Sequence, residues 1–531
     1  MNLGDELIPA RYLRRRALAA AAVALFVTAT PRVDAAARTT DDSWLRMRAD
    51  PARRIFAGLP AVRAPEHVPT AAATTTVENC NNDGVGSLRR AIKDAGDGDT
   101  IDLTKLNCAT ITLETGAIWI PVDSLTLLGP GRSLLAIDGN QRDRVFIHPH
   151  GGALTFSALT VRHGRDRATG FHVAGGGCIA SAGYLTLDAT TVTGCYAGGE
   201  GSYGGGIYAY SLTMSNSTLS ENVAKGVHED AGTAAFGGGA FVYAMDLQTS
   251  TVSGNRAVHE VRVGRSTYDI GGALVTVVGG QIQNSTIEAN YSQQRGGGIA
   301  AFNPVFVSNS TLSGNVAAGY IGGALLMRWP STVELDNSTV TANYAAGGGG
   351  GIWIGAAGSA IRSSIVSGNT SGAGHAANIE AIVTLSVDGD HDIIGVSNPA
   401  IALPPDTLTS APLLGPLAVN GGPTLTHALL SGSPAIDTGT NSSAASFDQR
   451  GISYARSYGA STDIGAFEVQ APLVAGASTP VPVMSKSFTA WLALLIGAAG
   501  CARALGSRRT RRFGVAIPRR VARCAVVKHH C

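Results

Sequence analysis

Asn309-Ser-Thr-Leu-Ser-Gly-Asn315 is one copy of a seven-residue phrase that returns down the middle of the chain. It recurs as Asn216-Ser-Thr-Leu-Ser-Glu-Asn222, Thr249-Ser-Thr-Val-Ser-Gly-Asn255, Asn284-Ser-Thr-Ile-Glu-Ala-Asn290 and Asn337-Ser-Thr-Val-Thr-Ala-Asn343. Degenerate copies end at Cys195 and Asn369, so the closing positions are separated by 27, 33, 35, 25, 28 and 26 residues. A glycine phrase alternates with it, as in Gly204-Gly-Gly-Ile207, Gly296-Gly-Gly-Ile299 and Gly349-Gly-Gly-Ile352. Periods of this length mark solenoids and arrays.

The content of each repeat selects the kind of solenoid. Apolar and small polar residues alternate through Leu212-Thr-Met-Ser-Asn-Ser-Thr-Leu219, the period of two that marks a strand. No stretch between Asp138 and Leu385 carries an apolar stripe at helical spacing. A propeller blade needs four strands over roughly 40–50 residues, more than most of these steps supply. The expected fold is therefore all-β: a right-handed parallel β-helix over residues 99–395, its hand set by general crossover chirality. Coils stacked ~4.8 Å apart would make a rod on the order of 50–60 Å long. Asn222, Asn255, Asn290, Asn315, Asn343 and Asn369 are expected to stack as a hydrogen-bonded ladder. Their tolerance of the left-handed region suits a turn position. The Leu, Val or Ile of each phrase is expected inside. Polar insertions over residues 225–233 and 259–268 account for the two longest steps.

An open solenoid end needs covering. Ser87 followed by Leu88, Ala91, Ile92 and Ala95 reads as an N-capped helix with one apolar face, so residues 77–98 are expected to form an N-terminal cap. Ahead of it, Arg14-Arg15-Arg16, an apolar stretch and Ala35-Ala36-Ala37 read as a signal peptide over residues 1–37. Residues 38–76 read as a poorly ordered linker. Export permits disulfides. The simplest pairing joins Cys80 to Cys108 and Cys178 to Cys195, with four buried free thiols as the alternative.

The formal charge of +2 hides an asymmetry: residues 501–531 carry +9 and residues 1–37 carry +2, leaving −9 on the remainder. A mildly acidic rod is a poor nucleic-acid binder. At the other end, Val481-Pro482-Val483-Met484-Ser485 precedes an apolar run over residues 488–502 and then Arg503, Arg508, Arg509, Arg511 and Arg512. Fifteen residues barely cross a bilayer, and the arginines would stay on the cytoplasmic side. Residues 471–480 read as a linker, 481–512 as a sorting signal or transmembrane segment, and 513–531 as a basic tail.

That segment resembles the IPTL-type C-terminal sorting domain of bacteria, with Val481, Pro482 and Ser485 at the motif positions and Val483-Met484 departing from the usual Thr-Leu. The resemblance implies a membrane-embedded sorting enzyme as partner. Cys80-Asn-Asn-Asp-Gly-Val-Gly-Ser-Leu-Arg-Arg-Ala-Ile92 is similar to the cysteine-led N-terminal domain of bacterial surface β-helix proteins. Gly415-Pro-Leu-Ala-Val-Asn-Gly-Gly-Pro-Thr424, the following Thr426 to Asp437, Asp448-Gln-Arg-Gly451 and Asp463-Ile-Gly-Ala-Phe-Glu468 resemble the choice-of-anchor Q domain, giving a region over 396–470. The repeats are similar to those of polymorphic outer-membrane proteins. Together these resemblances imply a surface-displayed β-helix in the cell envelope or outside it, reached through an inner-membrane-held precursor.

Two clusters bear on whether the rod is an enzyme. Glycoside hydrolysis needs paired carboxylates, and lyase chemistry needs clustered acids for a cation with a basic partner. Asp388, Asp390 and Asp392 have D-x-D-x-D spacing, a possible Ca²⁺ loop, but no Glu completes the set. Arg162-His163-Gly164-Arg165-Asp166-Arg167 is the densest mixed-charge patch and reads equally well as a charged turn. The other acids of the repeats are scattered. Asn216, Asn284, Asn309 and Asn337 form glycosylation sequons, yet all occupy one point of the repeat, which strand stacking explains. The expectation is a non-catalytic protein without cofactor, for surface display or adhesion to extracellular polysaccharide or a host surface. The alternative is a polysaccharide lyase or glycoside hydrolase on the same fold.

Overall fold

The computed structural model describes residues 72–470, apart from 168–172, 200, 227–233 and 261–268, together with Ile55. The signal peptide, most of the first linker and everything read into residues 471–531 lie outside the described residues.

Consecutive repeats pair in parallel, each coil stacking on the one before. Val161, Val192, Leu219, Val252, Ile287, Leu312, Val340, Val366 and Ile394 occupy one register position on successive coils. All are fully buried. Burying each such side chain contributes about 1.5–3 kcal/mol, and because the column repeats, one continuous core results. The coils assemble three long parallel sheets, of 19, 11 and 8 strands among the described residues. The fold is an all-β parallel β-helix.

Asparagine's role in the turn differs from the expected one. The closing Asn residues are absent from the left-handed region. The residues before them occupy it: Glu221, Ala289 and Ala342 at φ 56°, 51° and 58°, and Gly254, Gly314 and Gly368. The first residue of each phrase is the second left-handed position, at φ 48° for Asn216, 50° for Thr249, 52° for Asn284, 45° for Asn309 and 44° for Asn337. Sequon asparagines therefore sit where a short polar side chain eases positive φ. The closing asparagines are instead fully or almost fully buried, so their value is in hydrogen bonding.

Cys80–Cys108 and Cys178–Cys195 are both disulfides. Cys195 stands at the ladder position of its coil, and its N–H donates to Asn222 Oδ1, so the bridge takes the place of the next asparagine. At the N-terminal end, Ser87 caps the helix Leu88–Lys93 by accepting from the Arg90 N–H. Leu88 and Ile92 are buried into the main core. Thr74–Thr76, within the segment read as linker, is a strand that pairs with Thr100–Asp102. Its three consecutive β-branched threonines, all exposed, favour an extended backbone although the surrounding composition is loop-like.

The longer coils carry more than polar insertions. Ala174–Gly175, Gly201–Tyr203 and Ala234–Phe236 form a small extra sheet outside the main barrel of strands. Beneath it Tyr203, Tyr208, Phe236, Phe241 and Val275 make a second apolar cluster, on the outward side of strands whose inward side fills the core. Residues 225–233 and 259–268 are only partly among the described residues.

Residues 413–470 do not continue the coils. They fold back across the outer face of the 11-stranded sheet, over the coils that begin at Asn284, Asn309, Asn337 and Ser363. Thr286 Oγ1 donates to the Leu425 carbonyl at 2.7 Å and Thr311 Oγ1 to Gln449 Oε1 at 2.6 Å. Asn309 and Asn337 donate through Nδ2 to the Phe447 and Thr440 carbonyls, each at 2.8 Å.

Candidate functional site

Two columns of buried side chains run the length of the repeats. In the first, Asn255 Nδ2 donates to Asn290 Oδ1 at 3.0 Å, and the Asn255 N–H donates to the same oxygen at 2.9 Å. Asn222, Asn290, Asn315 and Asn343 repeat this with the next asparagine in line. The column ends at Asn378, which accepts from Asn369 Nδ2 at 3.0 Å although the two lie only nine residues apart. Asn378 belongs to no copy of the phrase, so repeat matching passes over it.

The second column is serine. The N–H groups of Ser217, Ser250, Ser285, Ser310 and Ser338 each donate to the hydroxyl of the next coil's serine, ending at Ser364. Ser364 in turn donates its N–H to Asp392 Oδ1 at 3.0 Å. The second residue of each phrase carried this signal, a Ser in every strong copy.

Asp392 is thus a column terminator, fully buried, with Oδ2 lacking any hydrogen-bond partner. Burial pushes its carboxyl up to about 8; the Ser364 N–H opposes this, and the nearby Asp390 and Asp406 add to it. Asp388 is exposed and pairs, like Asp390, in the strand Asp388–Asp390 along Ala360–Arg362. His391, between Asp390 and Asp392, lies 3.8 Å from Asp390 and 3.5 Å from Asp406. The D-x-D-x-D spacing therefore splits its carboxylates between the outside and the core. Among the described residues, no group of three or more His, Cys, Asp or Glu is placed to hold a metal ion.

The 162–167 patch resolves into contacts between coils. Arg162 Nε and His163 Nδ1 meet Asp138 Oδ2 at 2.8 and 3.0 Å. Burial works against the Asp138 charge, but the Asn140 N–H, Arg162 and His163 outweigh it and hold the carboxyl below its usual value. Asp166 is buried, ion-paired with Arg144, and accepts the Gly175 N–H at 2.8 Å. Burial is the main cause that raises its pKa. Arg165 lies over the Tyr196 ring at 4.7 Å. A Ser–His pair also occurs, Ser181 Oγ at 2.9 Å from His148 Nδ1. Both are fully buried and His148 Nε2 meets the Asp123 carbonyl, so no substrate reaches that hydroxyl.

The outer surface carries a different arrangement. Tyr184, Tyr210 and Tyr243 stand on three successive coils, with ring centroids 5.6 and 5.5 Å apart. Tyr184 is 55% exposed and Tyr210 37%. Tyr243 meets the buried Phe241 edge-on at 6.2 Å, which fixes the row to the second apolar cluster. Beside it, alternation in the strand Tyr184–Asp188 places Tyr184, Thr186 and Asp188 outward. Thr155, Thr186, Thr213, Asp246 and Gln281 share one register position across five coils. Sequence reading missed this row; tyrosines recurring at the coil step were the available signal.

No family model and no curated protein matches the chain. Among solved structures, the crystal structure of pectate lyase Pel9A is similar at 14% identity and a TM-score of 0.39, covering 80% of this chain and all of that one.

Proposed function

We propose that this is an exported, non-catalytic β-helix protein of the cell envelope, built for surface display and adhesion. The observation that carries this reading is the use to which Asp138, Asp166 and Asp392 are put. Asp138 and Asp166 hold neighbouring coils through Arg162, His163 and Arg144, and Asp392 ends the serine column. Acid–base chemistry at a sugar needs carboxyl groups facing a common substrate, whereas these face the protein's own backbone and cations. The two disulfides support an oxidising destination. The sorting reading of Val481, Pro482 and Ser485, and the membrane enzyme that would act there, belong to this proposal. So do the inner-membrane precursor, binding to polysaccharide or a host surface, and the absence of nucleic-acid binding.

The test is fractionation of cells that express the full chain. Wild-type body should reach the envelope or medium, while a Pro482→Ala, Ser485→Ala double variant should accumulate as an uncleaved membrane-held precursor. Normal maturation of that variant would leave a plain anchor, and body recovered in the cytoplasm would overturn the whole reading.

A further inference from the structure

We propose that the Tyr184–Tyr210–Tyr243 row and the strip beside it form a binding site for an extended, uncharged polysaccharide lying along the coil axis. This deepens the adhesion reading and rests on it.

Three features of the strip select that ligand. The first is an aromatic edge whose rings repeat every 5.5–5.6 Å, roughly the advance of one hexose residue in an extended chain. The rings meet one another at 76° and 25°, so the row offers a pyranose its outer rim of aromatic carbon, with each phenol hydroxyl as a polar handle. The second is the floor, where Thr155, Thr186, Thr213 and Gln281 present hydroxyl and amide groups in one register column. These donate and accept as sugar hydroxyls do. The third is charge. The ionisable groups of the two outward columns over these coils are the carboxylates Asp188 and Asp246, with no Lys or Arg at the paired positions. An anionic chain would therefore be repelled, as it would be by a body of net −9.

Rigidity strengthens the case. The tyrosines rise from strands paired on both sides, and Tyr243 is set against Phe241. Little side-chain ordering is then left for binding to oppose.

The experiment is affinity electrophoresis of the full chain in gels containing hydroxyethylcellulose or galactomannan, with polygalacturonate as the acidic arm. At least one neutral polymer should retard the protein, and polygalacturonate should not. Tyr184→Ala with Tyr210→Ala should weaken the retardation roughly tenfold, the scale expected for losing two aromatic contacts. Tyr458→Ala, an exposed tyrosine elsewhere, should leave it unchanged. Thr186→Arg retains every ring and obstructs the floor, so it should also weaken retardation even if the double variant folds poorly. Retention of full affinity in a folded double variant would overturn the site, as would retardation by no neutral polymer or by polygalacturonate alone. Release of reducing ends from a bound polymer would instead sink the non-catalytic reading while leaving the site in place.

Discussion

Asn290 shows how much one side chain of the ladder carries. Its Oδ1 accepts both the N–H and the Nδ2 of Asn255, at 2.9 and 3.0 Å, in a fully buried position. Asn290→Ala leaves the buried Asn255 N–H unpaired, at about 1–3 kcal/mol, and removes one bond of an Nδ2 that keeps the Leu219 and Ser253 carbonyls. Chemical denaturation should therefore show a loss of about 2–4 kcal/mol. Asp392 gives a prediction in pH. Its folded pKa is raised to about 8, whereas an unfolded Asp titrates near ~3.9. Between those values the unfolded chain has released its proton and the folded chain has not. Stability should fall as pH rises through that window and level off above it. Asp392→Asn keeps an acceptor for the Ser364 N–H without the charge. The variant should gain thermal stability relative to wild type at about pH 9 and differ little near about pH 4. At this scale the sequence was half legible. Repetition exposed the asparagine column, but the serine column hid within the same phrase, because a small residue beside a strand reads as packing until its hydrogen bonds are seen. The D-x-D-x-D spacing left a Ca²⁺ loop open for Asp392 as an alternative, since alternation would keep all three carboxylates on one face. The strand ends at Asp390, and the left-handed His391 (φ 51°) breaks the alternation and turns Asp392 inward.

The coil is the unit that the disulfides and core column stabilise. Cys178–Cys195 closes a separation of 17 residues, and replacing both cysteines by Ala should cost about 3 kcal/mol by the loop-entropy estimate, read as a lower thermal midpoint. Leu312→Asp puts a charge into the continuous core and should cost several kcal/mol, about as much as any single change can; deletion of one whole coil should be better tolerated. The folded-back C-terminal region is held by a different chemistry. Arg456 is fully buried, pairs with Glu468 at 2.9 Å, and donates to the Gly465 and Asp463 carbonyls. Arg456→Met strands that buried carboxylate at about 3–5 kcal/mol. Limited proteolysis should then cut first within residues 413–470 while the coils survive. The motif segments Asp448-Gln-Arg-Gly451 and Asp463 to Glu468 were visible as a resemblance, but their destination was not. Docking across a sheet face depends on contacts such as Thr286 to Leu425, 139 residues apart, and no local pattern reports such a distance.

For the whole molecule, the period of the repeats made the solenoid legible, since a coil length and an alternating strand leave few other architectures. Function was far less legible, because a repeat that stacks identical residues must place its charges where the coils need them. The 162–167 patch and the Asp388–Asp392 cluster drew attention by composition; the geometry puts Arg162, His163, Asp166 and Asp392 to contacts between coils and leaves Asp388 facing outward. Whether the rod is non-catalytic is decided by a turnover assay of the full chain on pectin, alginate and glycosaminoglycans, following reducing ends and unsaturated products. No cleavage of any of them is expected. Measurable cleavage, lost when Arg162 or Asp390 is replaced, would contradict that expectation and make this β-helix an enzyme.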